Sequence, residues 1–422
     1  TVPTGPFRGA MTSQVCWAYE SHLDEIATDL GLDPVALRAR NLLRDGDIYA
    51  TGEEMAHVHF VDLLHEVADA IGWTPEDGAT HGATPDSGKV RGKGVALLIK
   101  HTITPSRSEA KVELADDGSC TILSSSVEMG QGPRTTLHQF VADELGIPLA
   151  RIRAPFPDTA LTPYDLTTSS SRTAYSMSTA LRGATDDLKE RLKALAADLL
   201  EANVADIEVA GGTVGVAGTP EPRLSYAAVL RRAGVPRLTG TGVFQSPEGY
   251  GQLDENGQGI ATVHWHEGAV GVEVEVDTAT GKVHVLHAHA ASYAGRVLNP
   301  VMVRQQNEGN VVFGLGPALF EEYVWDQGQM VNPNLSDYMI PSFLDIPDRL
   351  TSRALTADDP HADVHGVGEM TLPAVAPAIR NAIFRATGAR IFDLPMTAER
   401  VYRAIHDAAA RPPAEGETGG SV

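Results

Sequence analysis

Only two cysteines, Cys16 and Cys120, occur in 422 residues, too few for a disulfide framework or for a single four-thiolate iron–sulfur cluster. Basic residues are scarce as well. The 33 Lys and Arg stand against 55 Asp and Glu, a net charge of −22, which argues against nucleic-acid binding and against an anionic membrane surface. No apolar run approaches the roughly 20 residues needed to cross a bilayer, and no basic segment followed by an apolar one marks a secretory leader. A cytoplasmic protein is expected, without membrane insertion. A P-loop, a G-x-S-x-G elbow and an H-E-x-x-H helix are also missing, so the commonest phosphate, serine-hydrolase and zinc-protease signatures do not apply. The chain starts at Thr1 and enters the phrase TVPTGPFRGAMTSQ at once, which leads us to expect a processed chain or part of a larger one.

What is present is a mixture of helical and strand patterns, with 42% hydrophobic residues to build cores. Tyr19, Leu23, Ile26 and Leu30 recur at helical spacing, and Gly31 is placed to end that helix. Asp33-Pro34 opens another helix, reaching about Leu43. The polar stretch from Gly46 to Gly92 reads as a linker. EAKVELADDGSCTILSSSV is a hairpin turning at Asp117-Gly118, and Val270, Val272, Val274 and Val276 form one face of a second hairpin with Val283 and Val285. Helices are predicted over 135–145, 174–203, 300–320, 375–387 and 397–410, and the last dozen residues read as a disordered tail. No internal repeat is seen. The fold class is therefore mixed α+β, with hairpins and mixed sheets packed against helices rather than regular βαβ alternation.

Four groups of residues have chemical potential. SVEMGQG, residues 126–132, sits between a strand and a helix; its glycines allow close backbone approach to an anion, or simply make a tight turn. TTSSSRTAYS, residues 167–176, holds hydroxyls and Arg172 before a long helix, which suits either helix capping or phosphate oxygens. Three His-x-His pairs, His57/His59, His264/His266 and His287/His289, lack the companion ligands of a zinc site. Glu369, in GVGEMTLPAVAPAIRNAI, is either an acid favouring the N-terminus of the next helix or a carboxylate aimed into a cavity.

Taken together the chain resembles the molybdenum-cofactor subunit of the xanthine dehydrogenase and aldehyde oxidase family. Five phrases stand in that family's order: GPFRGAMTSQ, SVEMGQGPRTTLHQFVADELGIP, DTALTPYDLTTSSSRT, QQNEGNVVFGLGPALFEE and GVGEMTLPAVAPAIRNAIFRATGARIFDLPMTAERV. The resemblance runs from Thr1 to about Ile405 and covers only the C-terminal half of that subunit. It implies two elongated molybdopterin-binding domains: residues 1–88 would be the end of the first plus a linker, 89–410 the second, and 411–422 the tail.

The resemblance further implies a molybdopterin cofactor, in its cytosine dinucleotide form, held through the pterin dithiolene so that no side chain ligates the metal. Met129, Gly130, Gln131 and Gly132 would contact it. So would Ser171, Arg172 and Thr173, Gln306 at the head of its helix, Gly368, and the loop Arg8, Gly9 and Ala10. Glu369 would be the general base for hydroxylation of an sp2 carbon by a water-derived oxygen. Relatives that oxidise purines carry an aromatic where this chain has Ala10, and those that oxidise carbon monoxide carry a cysteine in that loop, whereas Cys16 lies beyond it. The expected partners are a second molybdenum-binding chain with the missing half, a [2Fe-2S] subunit and an FAD subunit. The expected substrate is a small N-heteroaromatic, nicotinate- or purine-like, with an aldehyde or a non-catalytic cofactor-binding scaffold as the alternatives.

Overall fold

The computed structural model describes residues 5–79, 86–219, 223–359 and 361–410; the tail expected at 411–422 lies outside the described residues. Three helices come first: α1 (Thr12–Asp29), α2 (Pro34–Asn41) and α3 (Phe60–Ala70). Asp33 caps α2, its Oδ2 accepting from Ala36 N at 2.9 Å. Helix α3 corrects the expectation of a linker between Gly46 and Gly92. Phe60, Leu63, Leu64 and Val67 recur at helical spacing and are buried, while polar neighbours on the opposite face dilute that stripe in the overall composition.

The chain continues through β1 (Lys89–His101), β2 (Arg107–Ala115), β3 (Cys120–Leu123), α4 (Pro133–Leu145), β4 (Ile152–Arg153) and α5 (Thr173–Leu200). Then come β5 (Ile207–Ala210), β6 (Thr213–Val216), β7 (Leu224–Ser225), α6 (Tyr226–Arg232), β8 (Arg237–Gln245), β9 (Trp265–Asp277) and β10 (Val283–Tyr293). Last are α7 (Pro300–Leu315), which runs into a π turn at Gly316–Phe320, β11 (Trp325–Asp326), β12 (Gln329–Met330), β13 (Arg349–Leu355), α8 (Leu372–Thr387) and α9 (Ala398–Ala410). Both predicted hairpins, β2–β3 and β9–β10, are antiparallel pairs. None of the described helices is long and apolar enough to cross a membrane.

Two four-stranded sheets organise these elements. The first has the order β1-β9-β10-β13, with β13 parallel to β10 and the rest antiparallel. Period-two alternation splits its side chains between two cores: Ala96, Leu98 and Val270 to Val276 pack with α8, while Val95, Leu97 and Ala269 pack with Phe60, Leu64 and Val67 of α3. Residues before and after position 88 therefore share a hydrophobic core. The second sheet, β4-β3-β2-β8, carries α4, α5 and α6 over one common core.

Helix α8 lies unusually close to β1, because Gly94 faces its backbone. A Cβ on Gly94 would stand 2.6 Å from Ala382 N and 3.2 Å from Ala382 Cα, nearer than side-chain atoms pack. Gly94→Ala is thus expected to push α8 off the sheet and destabilise the chain by about 1–3 kcal/mol, the usual cost of overpacking, read as a lower urea midpoint with unchanged slope. Helix α1 is fastened to α8 by ion pairs, Arg385 Nη2 to Asp24 Oδ1 at 3.1 Å, which is buried, and Arg380 to the part-exposed Glu25. That fastening sets the loop ahead of α1 over the start of α8.

Candidate active site

Glu369 lies in the loop that leads into α8, and its carboxylate has partners on three other segments. Oε1 accepts from Gly9 N at 3.1 Å, and Oε2 lies 2.9 Å from Lys100 Nζ and 3.3 Å from Ser171 Oγ. None of these donors belongs to α8, so the local alternative of a helix-terminal acid loses its support. Lys100 is almost wholly buried, with 6% of its side chain exposed, near the end of β1. Its ammonium also donates to Ser170 Oγ at 2.9 Å and His101 O at 3.1 Å. A lysine this deep requires such partners.

The loop before α1 meets the same place from the other side. Arg8 donates through Nε to Gly368 O and through Nη2 to Gln306 Oε1 at 2.8 Å, and its guanidinium lies 5.5 Å from the Phe313 ring centroid. Burial pulls the Arg8 guanidinium down to about 10, with the charge of Glu369 opposing that shift. Gly9 is in the left-handed region, φ 70°, and a Cβ there would stand 3.0 Å from Pro373 Cγ; only glycine combines that backbone with that contact. Ala10 is exposed beside it. Gln306 is well inside α7, not at its head, because the helix starts at Pro300 behind the N-cap Asn299.

Ser170 and Ser171 are both left-handed, at φ 52° and 54°, a sparsely populated state for residues with a Cβ. The strain delivers both hydroxyls toward the Lys100–Glu369 pair. Arg172 does not reach the site. Its side chain is fully buried and all five N–H groups are engaged, by Asp165 Oδ1, Ser106 Oγ, Ser108 Oγ, Arg107 O and Thr167 O. No donor remains for phosphate oxygens or for the cofactor contact expected of Arg172; the guanidinium anchors the serine loop instead. Thr173 begins α5.

The turn 128–132 is tied to the site through α7. Gln305 Nε2 donates to Gly130 O at 3.2 Å, and a Cβ on Gly132 would lie 2.7 Å from Met302 Sδ. Gly130 and Gly132 are left-handed, Gly130 has open space around it, and Met129 is 67% exposed. The anion-binding amides of this turn already hold a carboxylate, since Glu128 Oε1 accepts from Gly130 N at 2.8 Å and Gly132 N at 3.0 Å. Gln131 is folded back, accepting from Met129 N and donating to Val127 O. The accessible face of the turn is therefore Met129 and Gly130.

Two features escaped the sequence reading. Lys100 stands in the apolar run GVALLIKH, and a charge inside a buried strand was the signal for it. The other is His365, which joins the His264/His266 pair in a cluster: the His264 ring centroid lies 4.5 Å from those of both His266 and His365. Burial is the first cause that drives His264 and His266 well below the usual histidine value, and His365 down to about 4. These groups are neutral when folded but protonate in the unfolded chain below about pH 6.5. The unfolded state then binds more protons, so stability rises with pH through that window and is lost as pH falls from 6.5 toward 4. Urea midpoints between pH 7.5 and 4.5, wild type against His365→Phe, check this: the variant is expected to lose part of the acid sensitivity.

The pair His287/His289 is structural: both bond Thr351 Oγ1, and His289 also faces Glu66. Among the described residues no group of three or more His, Cys, Asp or Glu is close enough to hold a metal ion. Cys16 is buried in α1, its thiol donating to Leu97 O. A surface depression of about 350 Å³ between α5 and β5 shares no residue with the site.

Residues 66–347 match a family model described as a molybdopterin cofactor-binding domain, and residues 1–42 match a second model of the same description. The xanthine dehydrogenase molybdenum-binding subunit of Escherichia coli O157:H7 is 33% identical over 414 residues, covering 95% of this chain and 53% of its own length. The nicotine 6-hydroxylase large subunit of Paenarthrobacter nicotinovorans is 28% identical over 430 residues, covering 95% and 51%. Among solved structures, quinoline 2-oxidoreductase from Pseudomonas putida 86 superposes with a TM-score of 0.81 at 25% identity, over 98% of this chain and 54% of that one. The chain thus spans about half the length of the curated relatives it matches.

Proposed function

Since the chain belongs to the molybdopterin cofactor-binding domains of the xanthine dehydrogenase and aldehyde oxidoreductase family, we propose that it is one half of a molybdenum hydroxylase subunit, with Glu369 as the general base. The residues suit such a cofactor in two respects. Gly9 and Gly368 leave the backbone beside the carboxylate without side chains, and Gly130 has open space around it. Arg8, Gly9, Ser171, Gln306 and Gly368 would hold the pterin end, and Met129 to Gly132 with Thr173 and Ala10 its flanks.

When bound, the molybdenum cofactor supplies a two-electron oxidant and activates water. This chain's part is to position and to move a proton. Gly9 N and Ser171 Oγ orient the carboxylate, Lys100 supplies its counter-charge, and Glu369 takes the proton of the attacking oxygen. Arg8 ties the loop of Gly368 to α7 through Gln306. The observation that carries this reading is the convergence of Gly9, Lys100 and Ser171 on one carboxylate.

The substrate in this reading is a small N-heteroaromatic compound, supported by relatives named for xanthine, nicotine and quinoline. In this reading the pterin is extended as its cytosine dinucleotide. The partners are a chain carrying the other half, a [2Fe-2S] subunit and an FAD subunit, because two buried cysteines here hold no cluster. A cytoplasmic home belongs to the same reading, supported by those unbridged thiols. Metal and nucleotide analysis of the co-purified complex tests it. One molybdenum per chain and cytidine monophosphate on acid hydrolysis are expected, whereas a complex with zinc or no metal overturns it.

A further inference from the structure

Among the described residues, imidazole nitrogens that are shut off from solvent and lack a hydrogen-bond partner gather here: both of His264, both of His266, Nδ1 of His365 and Nδ1 of His59. So many orphans in one place call for water, because a buried polar group without a bond is costly. Their arrangement is directional. His266 stands directly opposite Lys100 in the β1–β9 register, on the same face of the sheet. The ring of His264 follows at 4.5 Å, and that of His365 at a further 4.5 Å. His365 lies 5.1 Å from the Tyr293 ring, which stacks on His59 at 3.7 Å. His59 is 26% exposed and faces Glu267, and Asp45 and Asp62 stand near that carboxylate. The series starts at Glu369 and ends at an acidic rim.

We propose that His266, His264, His365 and His59, with water on their unpartnered nitrogens, form a proton path from Glu369 through Lys100 to solvent. It rests on the reading of Glu369 as the base. Lys100 turns one N–H away from Ser170 Oγ or His101 O, gives that proton by way of water to the His266 ring, and takes the proton held by the Glu369 carboxyl. Each neutral imidazole accepts on one nitrogen and releases from the other. At His59 the proton passes to water, and every group returns to its starting charge. No electrons move. Burial keeps these rings neutral, so they pass a proton without trapping it.

The test uses the assembled, cofactor-loaded complex. His264→Phe is expected to lower turnover at least ~10-fold, less than the 10²–10⁴ associated with a base itself, and to enlarge the solvent deuterium isotope effect. A high-resolution map of the wild-type protein supplies a readout independent of activity and of the variant's folding: ordered water is expected on the orphaned nitrogens of His264 and His266. Dry packing there, or wild-type turnover and isotope effect in His264→Phe, overturns the path. Glu369→Gln separates the two ideas. If that variant is inactive while His264→Phe behaves as wild type, the path alone fails; if Glu369→Gln turns over normally, the base assignment fails and the path with it.

Discussion

Glu369→Gln is expected to lower turnover of the assembled enzyme by about 10²–10⁴-fold, the usual contribution of a positioned general base, while molybdenum content stays at the wild-type level. The amide matches the carboxylate in shape, so Gly9 N retains an acceptor when the oxygen faces it. The NH₂ group then faces Lys100 Nζ and Ser171 Oγ, where Oε2 now lies at 2.9 and 3.3 Å. A donor opposite an ammonium is poorly matched, which adds local disorder to the lost proton acceptor. Glu369→Asp separates the two effects, because it retains the charge and shortens the reach. Turnover and molybdenum content measured on the same preparations decide. Loss of the metal together with activity would make the residue a cofactor anchor instead.

The largest loss of stability is expected at Arg172. Its guanidinium pairs with Asp165 at 2.6 Å, with 0% and 2% of the two side chains exposed. Arg172→Met leaves that carboxylate buried with hydroxyls only, from Ser108 at 2.7 Å and Ser126 at 3.2 Å. Removing one member of a buried pair typically costs about 3–5 kcal/mol. Lysine is not expected to rescue it, having three donors on a compact head where five planar ones are used. Because Ser171 is the next residue, loosening this anchor also frees the hydroxyl that holds Glu369. Thermal and urea unfolding of both variants check the first statement. Turnover in Arg172→Lys, corrected for folded fraction, checks the second.

Local pattern made much of the fold legible. The hairpins at Asp117-Gly118 and after Val276 depend on alternation and turn chemistry within a dozen residues, and α5, α7 and α8 on helical spacing and their caps. Helix α3 escaped because its stripe is short and its opposite face polar. Sheet order was not readable at all: β1 joins β9 across more than 160 residues, and nothing local in either strand names the other. The site shows the same division. Gly9 and Glu369 could be nominated from glycine-bounded phrases and family likeness, yet the bond between them spans 360 positions.

Lys100 and Arg172 show what sequence leaves undecided. Both are lone cations near plausible ligands. One points at the acid, while the other turns inward onto Asp165. Only the strand position of the first, and the left-handed pair Ser170 and Ser171 before the second, decide which way each faces. Glu128 is similar. Its carboxylate occupies the very amides that glycine content alone would offer to a phosphate.

The most direct measurement is a density map of the co-purified complex at a resolution that places the pterin. The carboxylate of Glu369 should border the molybdenum, with Gly9 and Gly368 lining the approach and no side chain of this chain bonded to the metal. A map with the cofactor elsewhere, and the Glu369 carboxylate still closed on Lys100, Ser171 and Gly9, would contradict the account.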